Sequence, residues 1–209
     1  MNILIFGAGD LAKAFAVNRP MGEYTMLTLL ARGACDAADP VAVAEAIQLS
    51  RPDFIICTAG KSDMDDRLPT ERIMRDNYET VDTVARISYA YRIPSLHLIS
   101  TAAFGSPHHP FYGPAKAAAL ASVRHYALVG AAIWALSPNR MNTRMRQADW
   151  PHEDPATRLD PRTEVVPVMQ EIIDGLYAPG AHVVLRKVGV APGRVDKFEE
   201  AAPMLPSML

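Results

Sequence analysis

Tyr112 and Lys116 stand four residues apart, just after S-T-A-A-F-G-S-P-H-H-P-F at 100–111. If Tyr112 opens a helix, this i,i+4 spacing stacks the phenol and the ammonium on one face. A phenol ionises near pH 10 in water, too high to exchange protons readily at neutral pH. A fixed cation beside it favours phenolate and brings the group toward the pKa of a useful general acid/base. Ser100 and Thr101 follow an apolar run at 93–99, and either hydroxyl could hold the oxygen that exchanges the proton. A Y-x-x-x-K pair alone also fits any amphipathic helix, so its surroundings decide between the readings.

The chain opens on N-I-L-I-F at 2–6, a continuous apolar run suited to a strand buried on both faces. It leads directly into Gly7-Ala8-Gly9-Asp10-Leu11-Ala12, a G-x-G-x-x-A turn, with a helix expected over 11–17. In such a strand-turn-helix the first glycine makes the tight turn and the second lets backbone approach a pyrophosphate. The small third residue lets helix and strand pack, and the helix N-terminus faces the phosphates. Gly7, Gly9, Asp10 and Leu11 are therefore candidates for dinucleotide contact. The Asp10 carboxylate is expected to act as a helix N-cap directed away from that anion. A second strand, 24–31, ends at Arg32. At that point of a doubly wound fold an acid suits the 2′-hydroxyl of NAD, and an arginine suits the 2′-phosphate of NADP. Arg32 therefore points to NADP(H), with NAD(H) the alternative; the bland reading is a solvated surface arginine.

The elements that must hold these groups follow in order. Too few residues separate Gly33 from Asp36 for a crossover helix to an outer strand, so the first half is abbreviated. Asp39 before Pro40 is a cap for a helix over 40–50. D-F-I-I-C-T at 53–58 is another buried strand, running into Ala59 and Gly60. A long helix is expected from Pro69 and Thr70 to Tyr91, strands at 93–100 and 131–137, a helix over 163–176 and a final strand at 182–188. This alternation predicts a doubly wound parallel sheet, Rossmann-like α/β, of about six strands in a single domain.

An apolar strand ending in Ser/Thr, followed by Y-x-x-x-K on an Ala-rich helix, resembles the active site of the short-chain dehydrogenases/reductases. G-A-G-D-L-A at 7–12, T-A-G at 58–60 and P-N-R-M-N-T-R-M at 138–145 fall in that family's order. The resemblance implies an enzyme moving hydride between NADP(H) and a small carbonyl/alcohol substrate. Tyr112 would be the acid/base, and Lys116 would lower its pKa and hold the ribose. The family pattern maps its catalytic serine to Thr101, but the interval to Tyr112 is shorter than usual and leaves Ser100 open. Asn77 matches the helix residue that keeps a water and the lysine in a proton relay. Thr58, Ala59 and Gly60 match the turn beside the cofactor ribose, and Asp36 lies in the short acidic segment beside the adenine. Pro138, Asn139 and Thr143 match the turn that reaches the nicotinamide. Asn139 replaces a glycine there, as the residue most tolerant of left-handed backbone. The polar segment 149–161 would be a lid, and homodimers or homotetramers are expected. Two features depart from the family: the glycine turn is a residue short, and Phe6 stands before it where Thr is common. Competing readings are a catalytically silent NADP-binding regulator, a sugar-nucleotide epimerase or dehydratase, and a member that has lost its cofactor.

Composition excludes other classes. The 209 residues are 49% hydrophobic and 21% charged, enough for one substantial core. A net charge of -2 and a pI near 6.3 leave no basic footprint for nucleic acid. The apolar stretches fall short of the roughly 20 residues that span a bilayer. Cys35 and Cys57 have no metal-ligand spacing with each other or with the six His, and no signal-peptide pattern precedes them. Reduced thiols in the cytoplasm and no metal site are the expectation. His108 and His109, between prolines, lack a third ligand and read as an exposed loop. The Pro/Met-rich tail from 201 reads as loose or packed on a partner chain.

Overall fold

In the computed structural model, residues 1–18, 26–61, 69–105 and 110–187 are described, together with the backbone of 195–200. β1 (Asn2–Phe6), β2 (Met26–Leu30), β3 (Phe54–Cys57), β4 (Ser95–Leu98), β5 (Ile133–Pro138) and β6 (His182–Lys187) pair in parallel. Their order is β2-β1-β3-β4-β5-β6, so the winding reverses between β1 and β3, where α/β folds place ligands. Among the described residues no strand lies outside β2, as the short 33–36 connection requires. β7 (Val195–Glu200) adds a seventh strand, antiparallel to β6. Its sequence, V-D-K-F-E-E, carries the charges of a sheet edge rather than the apolar run of a buried strand, which hides it from pattern reading.

The strands alternate their apolar residues between two cores. Ile3, Ile5, Phe54, Ile56, Leu96 and Leu98 face α1 (Asp10–Asn18) and α7 (Val166–Ile173). Leu4, Phe6, Ile55, Cys57, Ile133 and Ala135 face α2 (Pro40–Ser50), α4 (Thr80–Tyr91) and α5 (Tyr112–Leu128). Burial on both sides explains why the strands read as unbroken apolar runs. The expected cap at 39 is present, Asp39 accepting from the Val41 N–H at 2.9 Å. Two further helices are short, α3 (Thr70–Met74) and α6 (Arg144–Asp149).

Two helices differ from their sequence patterns. The run expected over 69–91 is interrupted by a π turn, Arg75–Glu79, that joins α3 to α4 and turns both Asp76 and Asn77 inward. The run expected from 163 begins instead with a π turn at Pro161–Val165 and leaves α7 at Ile173. There Asp160 accepts from the Arg162 and Thr163 N–H groups while Glu164 accepts from the Asp160 N–H, a reciprocal cap. Among the described residues no helix is long and apolar enough to cross a membrane.

The tightest backbone in the sheet is the turn after β1. Gly7 sits at φ +103°, and a Cβ there would meet Thr58 Oγ1 at 2.7 Å and the Ala59 N at 2.9 Å. Gly7→Ala is expected to lower stability by roughly 2–5 kcal/mol through strain and overpacking, read as a fall in the denaturant midpoint. A midpoint equal to the parent's would mean that the turn has a different conformation.

Candidate functional site

The site lies at the carboxyl ends of β1, β3 and β4. Thr58 Oγ1 donates toward the carbonyls of Phe6, at 3.3 Å, and Gly7, at 3.2 Å, locking the turn after β3 onto the glycine turn. Ala12 is fully buried against β1, so the small third residue brings helix and strand together. Leu11 is buried too, which leaves only its backbone N–H to meet a ligand. Gly9 is exposed, with nothing within 4 Å of where a Cβ would stand. The first backbone bond of α1 runs from the Lys13 N–H to Gly9, so the amides before it have no partner inside the helix. An open glycine face at a helix N-terminus fits a dinucleotide phosphate.

Asp10 departs from the expected N-cap. It is the first residue of α1, and its carboxylate accepts from the Arg144 N–H at 2.7 Å and from Arg144 Nε at 2.8 Å. The hydrogen bond from Arg144 holds its carboxyl below the usual carboxylate range.

α5 begins at Tyr112, as the helical spacing requires, and Lys116 Nζ lies over the Tyr112 ring, 5.6 Å from its centroid. Lys116 is 3% exposed and has no carboxylate ion partner among the described residues. Burial pushes its pKa down to about 8, with the Cys57 sulfur acting weakly in the other direction. Burial pushes the Cys57 thiol up to about 11, so Cys57 is neutral at physiological pH. His97, directly across from Cys57 on β4, is pushed down to about 3 by burial and is neutral as well. The ammonium thus lies beside a neutral thiol, which is itself paired across the sheet with a neutral imidazole. A Cβ on Gly60 would meet Lys116 Nζ at 2.9 Å and Asn77 Oδ1 at 3.0 Å, so both side chains converge where Gly60 lacks one.

Asn77 is buried and its amide is fully engaged. Oδ1 accepts from the Lys61 N–H at 3.0 Å, while Nδ2 donates to the carbonyls of Lys61, at 2.8 Å, and Ile73, at 3.0 Å. It therefore holds the Gly60-Lys61 backbone against α3, and the π turn is what aims it there. Ser100 occupies left-handed backbone at φ 110° and caps a 3-10 turn over Thr101–Phe104, its Oγ accepting from the Ala102 N–H at 3.2 Å. For a residue other than glycine this is strained, and such strain concentrates at functional sites. Thr101 Oγ1 donates to Asn139 Oδ1 at 3.1 Å, bringing β4 and β5 ends together.

Asn139 does not use left-handed backbone; among the described non-glycine residues only Arg51, Arg92 and Ser100 have positive φ. What Asn139 supplies in place of glycine is its side-chain oxygen. Thr143 caps α6, its Oγ1 accepting from the Arg146 N–H at 3.2 Å, and Pro138 is the last residue of β5. The segment expected as a lid over 149–161 is knitted down: Glu153 pairs with Arg146 at 2.7 Å, Arg158 at 3.0 Å and Arg140 at 3.2 Å.

At the far end of the crevice Arg32 forks onto Asp76, which is 2% exposed and also accepts from Arg72 Nε at 3.2 Å. Burial alone would raise the Asp76 carboxyl, yet Arg32 and then Arg72 hold it below the usual range. Asp36 accepts from the Ala38 N–H at 3.1 Å and pairs with Arg75 at 2.6 Å. Nothing in the sequence singles out Asp76, Arg72 and Arg75, because a charged R-x-x-R-D run on a helix reads as a solvated face. The π turn that buries Asp76 has no pattern in the sequence. His108 and His109 lie outside the described residues.

No protein-family model matches the chain, and no curated protein matches it in sequence. Solved structures do. The dTDP-4-dehydrorhamnose reductase from Bacillus anthracis str. Ames, in complex with NADP, has a TM-score of 0.71 at 17% identity, over 90% of this chain and 75% of that one. A short-chain dehydrogenase from Burkholderia cenocepacia J2315, in complex with NADP, has a TM-score of 0.68 at 14% identity, over 90% and 89%. A short-chain dehydrogenase from Mycobacterium avium has a TM-score of 0.70 at 14% identity, over 99% and 88%. Short-chain dehydrogenases/reductases are thus among the structural neighbours, and identities this low establish the shared Rossmann-like fold.

The buried ammonium has a measurable consequence. Lowering Lys116 from 10.5 to about 8 corresponds to about 3 kcal/mol of destabilisation while both folded and unfolded chains hold the proton. That cost is present below pH 8 and is relieved as pH rises through 8 toward 10.5, where the fold sheds the proton before the unfolded chain does. Lys116→Met is expected to raise stability at pH 7 by roughly 1–3 kcal/mol, the gain shrinking above pH 8. Chemical denaturation across pH checks it; a variant less stable than the parent at pH 7 refutes the assignment.

Proposed function

We propose that the chain is a single-domain, NADP(H)-dependent oxidoreductase of the short-chain dehydrogenase/reductase kind, acting on a small carbonyl/alcohol substrate. The observation that carries this is the buried Lys116 ammonium one helical turn from Tyr112, its Nζ beside Gly60 at the carboxyl end of β3. A fold shared with NADP-complexed reductases supports the cofactor. When bound, NADP(H) supplies or accepts the hydride.

The chain's own residues do the rest. The N-terminal amides of α1 and the Gly7–Gly9 turn bind the pyrophosphate, and the Thr58-Ala59-Gly60 turn keeps backbone close to the ribose. Tyr112 gives its phenolic proton to the substrate oxygen in reduction and takes it back in oxidation. Lys116 favours the phenolate by charge, with no carboxylate among the described residues to neutralise it. Of the two candidate hydroxyls, Thr101 commits its proton to Asn139, whereas Ser100 accepts from Ala102 and keeps its own proton for the substrate oxygen. Asn77 positions the Gly60-Lys61 backbone against which Lys116 rests. Arg32, backed by Asp76, meets the 2′-phosphate with the donors that Asp76 leaves over.

Tyr112→Phe is expected to lower kcat by about 10²–10⁴-fold in NADPH-linked carbonyl reduction, with NADPH affinity little changed. Parent-like turnover by this variant removes Tyr112 from the mechanism. Arg32→Ala is expected to weaken NADPH binding by roughly 10–100-fold and NADH binding much less. Equal losses for both nucleotides would show that Arg32 does not read the 2′-phosphate.

A further inference from the structure

We propose that Arg144 is a phosphate-binding residue of the dinucleotide site, and that Asp10 holds it in place as an anion competing with that phosphate. The inference rests on the dinucleotide reading above. Asp10 directly follows the open Gly9 and begins the helix whose N-terminus faces the crevice. An aspartate in a first turn ordinarily turns to the free amides of its own helix. This one takes its donors from α6: the Arg144 N–H at 2.7 Å, Nε at 2.8 Å and Nη2 at 2.7 Å. The amides of α1 are thereby left for another anion.

The side chain of Arg144 is 74% exposed, against 25% for Asp10, so the guanidinium lies outermost. A guanidinium has five N–H donors, and Asp10 engages Nε and Nη2, which leaves donors for a phosphate oxygen without breaking the pair. Charge accounting points the same way. The cations acting on Asp10 are Arg144 and, one turn along α1, Lys13. A pyrophosphate at the glycine turn brings two negative charges close to a carboxylate, which repels it unless a cation lies between them. Arg144 is that cation.

The two residues then have opposite effects, which a clasp joining α6 to α1 for purely structural reasons would not give. Removing the Asp10 charge leaves the whole fork to the phosphate and ends the repulsion, whereas removing Arg144 leaves Asp10 bare. The test is titration of NADPH fluorescence with the parent, Asp10→Asn, Arg144→Met and Arg144→Lys, with thermal melts confirming that each is folded. Binding is expected to be about threefold or more tighter for Asp10→Asn. For Arg144→Met it should be about tenfold or more weaker, because the phosphate no longer has a charge-assisted hydrogen bond from the guanidinium. Arg144→Lys, which keeps the charge without the fork, should fall between parent and Arg144→Met. Should the parent bind NADPH while Asp10→Asn and Arg144→Met shift in the same direction, or neither shifts, this proposal is overturned and the dinucleotide reading stands. Should the parent show no saturable binding, both fall together.

Discussion

A positive charge buried without a carboxylate partner among the described residues is the constraint around which the site is built. Among the described residues the groups near it are neutral, with Cys57 kept as a thiol and His97, across from Cys57, kept as an uncharged imidazole. A carboxylate at the same place would stabilise the ammonium and cancel its effect on a neighbouring phenol. The cost falls on folding, and the two apolar cores on either side of the sheet offset it. The surrounding backbone follows from the same requirement. Gly60 has to lack a side chain so that Nζ can reach the end of β3, and Asn77 is needed to hold the Gly60-Lys61 turn so that the space stays open. Aiming Asn77 at that turn needs one extra residue in the helix, which is what the π turn over Arg75–Glu79 provides.

The same π turn links this centre to the far end of the crevice. It carries Asp76 beside Asn77, and Asp76 draws Arg32 from the end of β2 and Arg72 from α3 onto one buried carboxylate. Glu153 gathers Arg140, Arg146 and Arg158 in the same manner over the segment that follows β5. In both clusters arginines outnumber the acid that orders them. A buried carboxylate holding more than one guanidinium fixes their orientation while leaving donors unspent.

Much of this was legible in the sequence, and the parts that were not have a common cause. Continuous apolar runs at 2–6 and 53–58 marked buried parallel strands because both faces are covered, and the i,i+4 spacing of Tyr112 and Lys116 fixed their shared helix face. The short 33–36 connection leads straight to α2, and among the described residues no strand lies outside β2. Helix irregularity left no such trace. The π turns at Arg75–Glu79 and Pro161–Val165 have ordinary helix-forming sequences, and it is tertiary packing that decides where the extra residue goes. The antiparallel β7 escaped for the opposite reason, since an edge strand need not be apolar.

Side-chain polarity was harder to place than backbone. Asp10, read as a cap, is spent on a residue 134 positions away, and no local pattern can foresee a partner at that separation. Asn139 is instructive in the other direction. Its tolerance of left-handed backbone is not used, because the backbone there is not left-handed. Its side-chain oxygen instead accepts the Thr101 hydroxyl proton. Ser100 Oγ, by contrast, accepts from the Ala102 N–H. Ser100 stands just after β4 and caps the following 3-10 turn, and its positive φ is the kind of backbone strain that concentrates at functional sites.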